Sequence, residues 1–232
     1  MFVILDEWNI NQPFPDIHDA LVDPNGLLAM GGCLSPRRLS NAYRQGIFPW
    51  YSKGEPILWW SPDPRWVLTP GDVRVSRSLR KRLQRMEFRV TYDQAFAEVI
   101  KACSEPRDAG GTWITPKLQL AYTELHRMGL AHSFESWQGD QLVGGLYGVT
   151  IGQIFFGESM FHRVTDASKV AFVTACRYLH EWDYQLIDCQ VHTSHLESLG
   201  ARPMARTTFA EFLRDHRDRP VAAEAWQQPG VM

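Results

Sequence analysis

The spacing of apolar positions divides the chain into segments of different period. Leu39, Ala42 and Tyr43 recur at helical spacing, with Ser35 placed as N-cap, Pro36 in the first helical position and Gly46 just past the end. Upstream, turn signals at Phe14 to Asp16 and at Asp23 to Gly26 precede the apolar run LLAMGG, which closes at Gly31-Gly32. Downstream, IFPWY (Ile47 to Tyr51) and ILWWSPDPRW (Ile57 to Trp66) are aromatic and rich in proline, and Pro62 and Pro64 mark a linker. Residues 1–62 therefore read as a small, loop-heavy N-terminal domain and residues 63–232 as a larger one.

The larger unit opens on helices. Ser76 is placed to cap one with Leu79, Leu83 and Met86 inward, and Asp93 to open another with Phe96, Val99, Ile100 and Cys103 inward. A flexible Asp108-Ala109-Gly110-Gly111 follows, then a helix capped by Thr115, begun by Pro116 and ended by Gly129. The period then falls to two. His132–Trp137, Leu142–Val149 and Gln153–Phe156 form an antiparallel meander turning at Gly139-Asp140 and Ile151-Gly152, with Gly144, Gly145 and Gly148 marking bulges or close approaches. Gly157 is expected to turn the chain into a loop presenting Glu158, Ser159 and Met160. Asp166 then caps a helix carrying Phe172, Ala175, Cys176 and Leu179, and a strand runs from Gln185 to Val191. HLESLGARP leads to a last helix near Thr208 to His216, and the residues beyond Arg219 read as a frayed tail. Helices, a meander, then strand-helix-strand imply an α+β fold: a central, mostly antiparallel sheet of the acetyltransferase (GNAT-like) type behind the small N-terminal domain.

Composition narrows the classes of function. With 232 residues, 44% of them hydrophobic, the chain can bury a substantial core, yet it has no apolar run of about 18 residues and no basic-then-apolar leader. A cytoplasmic address without membrane contact is expected. Cys33, Cys103, Cys176 and Cys189 are scattered with no CxxC pair, which implies reduced and mostly buried thiols. A formal net charge of -2 argues against a coat for nucleic acid while leaving room for a local basic patch. Such a patch exists at Arg77, Arg80, Lys81, Arg82 and Arg85, which can be a solvated helix face or a phosphate contact.

Strand alternation sends Asp188, Gln190 and His192 to one face and Ile187, Cys189 and Val191 to the other. With Glu158 from the neighbouring segment, these side chains offer acceptors suited to an ammonium or guanidinium group and poorly suited to phosphate. Structural hydrogen bonding is the plain alternative for any one of them. Cys189 with His192 and His195 suggests zinc, and Cys189 with His192 a thiol nucleophile, but alternation separates the cysteine from the histidine, so no metal is expected. A nucleophile elbow and a Walker loop are absent. An acyl-CoA site needs a glycine-rich turn before the central helix, where this chain has FHRVTDASK, so the donor should be something other than CoA.

Taken in order, GLLAMGG, AYRQGIFPWY, WWSPDPR, SRSLRK, GTWIT, AHSFESW, LVGGLYGV, FFGESMF, ASK, LIDCQV and HLESLGA closely resemble the leucyl/phenylalanyl-tRNA:protein transferases from about Phe14 to Phe212. Cys33 departs from the acidic or polar residue common in that family, and the tail after Arg219 matches no motif. The resemblance implies transfer of leucine or phenylalanine from charged tRNA to the N-terminal amine of proteins beginning with Arg or Lys, tagging them for N-degron degradation. It implies a monomer with no cofactor, whose partners are Leu-tRNA, Phe-tRNA and those acceptor proteins.

Roles carried over by the resemblance are specific. Asp188 polarises Gln190, whose side-chain oxygen positions the attacking amine and can help remove its proton, although an amide is a very weak base and suits orienting better. Glu158 recognises the cationic acceptor, and Glu158, Asp188 and Gln190 together bind the acceptor N-terminus. Trp50 and Trp113 stack on the terminal adenosine, with Tyr43 and Tyr122 helping to line that site, and base–aromatic stacking is worth about 1–3 kcal/mol per base. Leu146, Phe155, Met160 and Ile187 form the pocket for the transferred side chain, and Arg77 to Arg85 meet the tRNA backbone. Because the aminoacyl ester is already activated, alignment and proton handling suffice, without a covalent intermediate. Two rivals stand beside this reading: another aminoacyl-tRNA-dependent transferase, such as a cell-wall peptide-bridge enzyme, and a non-catalytic binder of basic N-termini.

Overall fold

A computed structural model describes residues 3–106 and 112–227. The expected flexible segment 108–111 lies outside the described residues.

A small sheet comprises β1 (Val3–Leu5), β2 (Leu27–Gly31), β3 (Phe48–Pro49) and β4 (Leu58–Trp60) in the order β1-β2-β4-β3. A larger one comprises β5 (Arg65–Leu68), β6 (Arg89–Tyr92), β7 (Ala131–Gln138), β8 (Gln141–Ile151), β9 (Ile154–His162), β10 (Leu186–Gln190) and β11 (Arg202–Met204), in the order β11-β5-β10-β9-β8-β7-β6. Every neighbouring pair in the larger sheet is antiparallel except β9 and β10. Those two are joined through α5 (Ala167–Glu181), the crossover that a parallel pair requires. This is the α+β arrangement with a mostly antiparallel sheet that the sequence implies.

The other helices are α1 (Pro36–Tyr43), α2 (Arg77–Gln84), α3 (Phe96–Cys103), α4 (Pro116–Arg127), α6 (Ser194–Ser198) and α7 (Arg206–His216). Ser35, Ser76 and Thr115 each accept a backbone N–H as N-caps of α1, α2 and α4. None of the described helices is long and apolar enough to cross a membrane. One apolar cluster joins Leu39, Tyr43 and Trp59 of the first sixty residues to Tyr122, Tyr147 and Phe156, and α5 packs a second cluster on the other side of the large sheet. At Gly144, where the meander meets α5, an added Cβ would lie 2.6 Å from the Cβ of Ala167, so the close approach anticipated there is real.

Several expectations need correction. Gly157 does not end a strand: β9 runs through Glu158, Ser159 and Met160, because Gly157 pairs with Gly148 rather than turning, and Glu158 is the extra residue of a bulge in β9 between the pairs Gly148–Gly157 and Tyr147–Ser159. Met86 lies past the end of α2 at φ 51° and is 77% exposed, so it takes no part in the buried stripe. Asp93 does not cap α3. Its carboxylate accepts from Ser133 N and pairs with His132 instead, while Ala95 stands at the cap. Of the segment beyond Arg219, the described residues 220–227 are docked: Trp226 stacks on His132 at 3.8 Å and its indole N–H donates to Tyr184 at 2.8 Å. α6 and β11 were not anticipated.

Candidate active site

β9 and β10 pair only as far as Phe156 and Asp188; β9 continues along β8 while β10 bends away. Beside this divergence is a cavity of about 620 Å³, bounded also by α5, α6 and the segment after β3. Leu146, Phe155, Met160 and Ile187 all line it. So do Trp50 and Trp113, and Trp50 keeps 44% of its surface exposed while the indole of Trp60 donates to its carbonyl at 2.6 Å. An apolar enclosure with aromatic faces at its edge suits an apolar side chain joined to a flat polar group.

Among the polar side chains that share these walls, Glu158 and Gln190 stand in contact with each other. Gln190 Nε2 donates to Glu158 Oε1 at 2.8 Å, which leaves the Gln190 amide oxygen without a hydrogen bond among the described residues. Tyr43 donates to Glu158 Oε1 at 2.7 Å and Tyr122 to Oε2 at 2.9 Å, and the two hydroxyls are 2.5 Å apart. Burial pushes the Glu158 carboxyl up to about 7, the tyrosines and Gln190 pulling it back by donating to the ionised form and the nearby Asp188 adding a smaller upward push. Burial raises both tyrosine hydroxyls well above their ordinary range, so they remain proton donors at neutral pH.

Tyr43 and Tyr122 are therefore not walls of the cavity, as expected, but supports behind it. Both are 0% exposed, and neither has a face open for stacking. They come from α1 and α4, so both apolar stripes end on the same carboxylate.

Asp188 also sits elsewhere than alternation suggests. It is 0% exposed and binds Arg65 in a bidentate pair, Nε to Oδ1 at 2.8 Å and the terminal nitrogen to Oδ2 at 2.6 Å. Its Oδ1 accepts in addition from the backbone N–H of Gln190 at 2.9 Å. Gln190 has φ 65°, and Val191 N donates across it to Cys189 O at 2.8 Å, a tight three-residue turn in a region that non-glycine residues seldom adopt. The register shifts there, and Ile187, Cys189 and Gln190 all reach the cavity while Asp188 backs the strand. Asp188 thus acts on Gln190 through its main chain and has no free oxygen directed at a ligand.

Cys189 lines the cavity, contrary to alternation, but burial, with Asp188 nearby, holds its thiol well above the usual range and makes it a poor nucleophile. His192 lies outside, against Trp66 at 4.4 Å and paired with Glu197. The ligand-type side chains that do converge among the described residues are Asp93, His126 and His132. His132 Nδ1 is bonded to Asp93 at 2.6 Å and His126 Nδ1 to the Ala131 carbonyl at 2.8 Å.

On α2, Arg77, Arg80 and Lys81 are exposed. Arg82 and Arg85 instead pair with Glu87 at 3.0 and 3.5 Å, and Arg82 also donates to the carbonyl of Thr165, a cavity residue. Sequence reasoning missed Arg65, whose signal was a lone cation in the apolar stretch PRWVL. It also missed Asp166 and Lys169, which pair at 2.8 Å on the cavity wall, and Phe172, read only as helix core.

Residues 67–214 match the leucyl/phenylalanyl-tRNA protein transferase family, and residues 32–63 match the N-terminal domain of the same family. A leucyl/phenylalanyl-tRNA–protein transferase of Stutzerimonas stutzeri is 61% identical over 212 residues, covering 91% of this chain and 94% of its own. One from Methylococcus capsulatus is 55% identical over 232 residues, 99% of each chain. Among solved structures, a GCN5-related N-acetyltransferase from Kribbella flavida aligns at TM-score 0.36 and 13% identity over 69% of this chain and 57% of its own. L-PGS from Bacillus licheniformis aligns at TM-score 0.41 and 8% identity over 72% and 54%. The matches to the family and to these relatives run across nearly the whole chain, which belongs to the leucyl/phenylalanyl-tRNA protein transferase family and is an aminoacyltransferase.

Proposed function

We propose that the chain moves leucine or phenylalanine from charged tRNA to the α-amine of proteins that begin with Arg or Lys, marking them for N-degron degradation in the cytoplasm, and that it does so as a monomer. The observation that carries this reading is the pairing of Glu158 with Gln190 beside apolar and aromatic walls of one cavity. An anionic carboxylate favours an acceptor whose first residue is a cation, and an amide oxygen left without a partner is available to an amine N–H. Leu146, Phe155, Met160 and Ile187 then hold the transferred side chain, Trp50 and Trp113 the terminal adenosine, and α2 the tRNA backbone. A hydrophobic pocket discriminates by only about 1–3 kcal/mol per methylene, so one pocket serves both leucine and phenylalanine.

The reaction asks little of the protein beyond alignment. The amine nitrogen attacks the ester carbonyl, the C–N bond forms, and the bond to the ribose oxygen breaks. Gln190 fixes the direction of attack, and the Asp188–Arg65 pair fixes Gln190.

The test is transfer of radiolabelled leucine from Leu-tRNA to a peptide beginning with Arg, against one beginning with Asp, for wild type and Gln190→Ala. Transfer to the Arg peptide alone, lost in the variant, is expected. Binding of the Arg peptide without transfer to either would instead mark a non-catalytic N-terminus binder.

A further inference from the structure

Tyr43, Tyr122 and Glu158 close a triangle of oxygen contacts, at 2.5 Å between the hydroxyls and 2.7 and 2.9 Å from them to the carboxylate. Each contact of this length needs a proton between its oxygens. The two hydroxyls supply two, and burial keeps both hydroxyls protonated. The third proton has only one possible origin, the carboxyl group itself. An ionised Glu158 leaves one edge of the triangle without a proton, and a proton arriving on Glu158 completes it.

We propose that Glu158 is the catalytic base of the transfer, taking the proton from the attacking amine into the Tyr43–Tyr122 pair's hydrogen-bond ring and then returning it to the departing ribose oxygen. This rests on the proposed transfer to an N-terminal amine. The acceptor enters as the free amine. Its nitrogen bonds to the ester carbon, one N–H proton passes to a Glu158 oxygen, the carbon–ribose oxygen bond breaks, and that oxygen takes the proton from Glu158. The sum is an amide, a free ribose hydroxyl and an enzyme unchanged in protonation.

The surroundings fit a base. Glu158 reaches the cavity, and of its four acceptor positions Oε1 uses two and Oε2 one, leaving one for the substrate. The groups facing it are Tyr43 from α1, Tyr122 from α4, Tyr147 from β8 and Gln190 and Asp188 from β10, and the charge of Asp188 is compensated by Arg65 from β5. A general base works best with its pKa near the working pH, and burial opposed by three donors brings the Glu158 carboxyl to about 7. Tyr43 and Tyr122 are positioning residues: they touch the base and not the substrate.

The experiment is a single-turnover pH profile at saturating Arg peptide and Leu-tRNA, for wild type, E158Q, Y43F and Y122F, with each variant's KM for the peptide and its thermal melt. Wild type should show a rising limb with its midpoint near 7. E158Q keeps the shape of the side chain but cannot take a proton, so the rate at saturating peptide should fall by about 10²–10⁴-fold and lose that limb, keeping only the titration of the peptide's own α-amine at about 8. KM for the Arg peptide should rise, because the anion that favours a cationic acceptor is gone. Hydrogen bonds to an ionised acceptor are about twice as strong as those to a neutral one, so losing a hydroxyl harms the carboxylate more than the acid. Y43F and Y122F should therefore move the midpoint upward, slow at pH 7 and recover at higher pH. Unchanged rate with raised KM in E158Q would overturn the proposal and leave Glu158 a binding group. Unmoved midpoints in both tyrosine variants would overturn the role of the ring. Wild type that fails to transfer to the Arg peptide at any pH would instead defeat the underlying assignment of the acceptor.

Discussion

Arg65 and Asp188 form a bidentate ion pair with both side chains 0% exposed, and this pair ties four parts of the chain together. The guanidinium also donates to the Gly46 carbonyl at 2.9 Å and lies between the rings of Phe48 and Phe209, at 4.8 and 4.7 Å from their centroids. The end of α1, the start of β5, the strand β10 and the last helix thus meet on one cation. Removing one member of a buried pair leaves the other charge uncompensated, at a cost of about 3–5 kcal/mol. Asp188→Ala should lower the urea midpoint accordingly, with Asp188→Asn intermediate because it preserves an acceptor. Arg65→Lys should resemble a deletion, since a point charge cannot fill both bonds and the stacked position.

The turn at Gln190 separates backbone from side-chain effects. A non-glycine residue pays about 1–2 kcal/mol in the left-handed region, and Gln190 sits there at φ 65°. Gln190→Ala loses the amide and keeps that strain; Gln190→Gly loses the amide and relieves it. Both variants should lose transfer, while the glycine variant should be more stable than the alanine one by about 1 kcal/mol. Equal denaturation midpoints for the two would show that the turn is not strained.

The basic helix predicts a salt effect with unequal contributors. Arg77, Arg80 and Lys81 are exposed, whereas Arg82 and Arg85 already face Glu87. Each cation removed from a phosphate contact should lower the slope of log affinity against log salt by about one. Filter binding of tRNA between about 50 and 200 mM salt should show that loss for Arg77→Ala, Arg80→Ala and Lys81→Ala, and a smaller one for Arg85→Ala. A slope unchanged in all four would make the helix a solvated face.

Much of this architecture was legible because local signals and tertiary demands agree. Ser35-Pro36, Ser76 and Thr115-Pro116 cap helices as their chemistry predicts, and the glycine turns fix the meander. Leu146, Phe155, Met160, Ile187, Trp50 and Trp113 do share one cavity. What was not legible depends on long-range partners. Gly157 carries a turn signal that a facing glycine on β8 converts into strand pairing. The orientation of Asp188 is set by Arg65, distant in sequence, and the turn at Gln190 breaks alternation without a glycine to announce it. The residues beyond Arg219 read as a frayed tail because His132 and Tyr184, the partners of Trp226, reach it only in the folded chain.

Glu158 also makes stability depend on pH, with a definite sign. Its carboxyl titrates at about 7 in the fold against 4.5 for an unconstrained glutamate, so between those values the folded chain binds a proton that the unfolded chain has released. The stability this group allows is whole below pH 4.5 and is lost as pH rises toward 7, because ionisation then favours the unfolded state. At about 1.4 kcal/mol per unit the full loss is on the order of 3 kcal/mol. Glu158→Gln cannot ionise and so escapes it. Urea denaturation should find the variant more stable than wild type at pH 8 and the difference shrinking toward pH 5, an excess of stability obtained together with loss of transfer. A variant less stable than wild type at pH 8 would mean that the ionised carboxylate is fully compensated by Tyr43, Tyr122 and Gln190, and that burial does not raise its pKa.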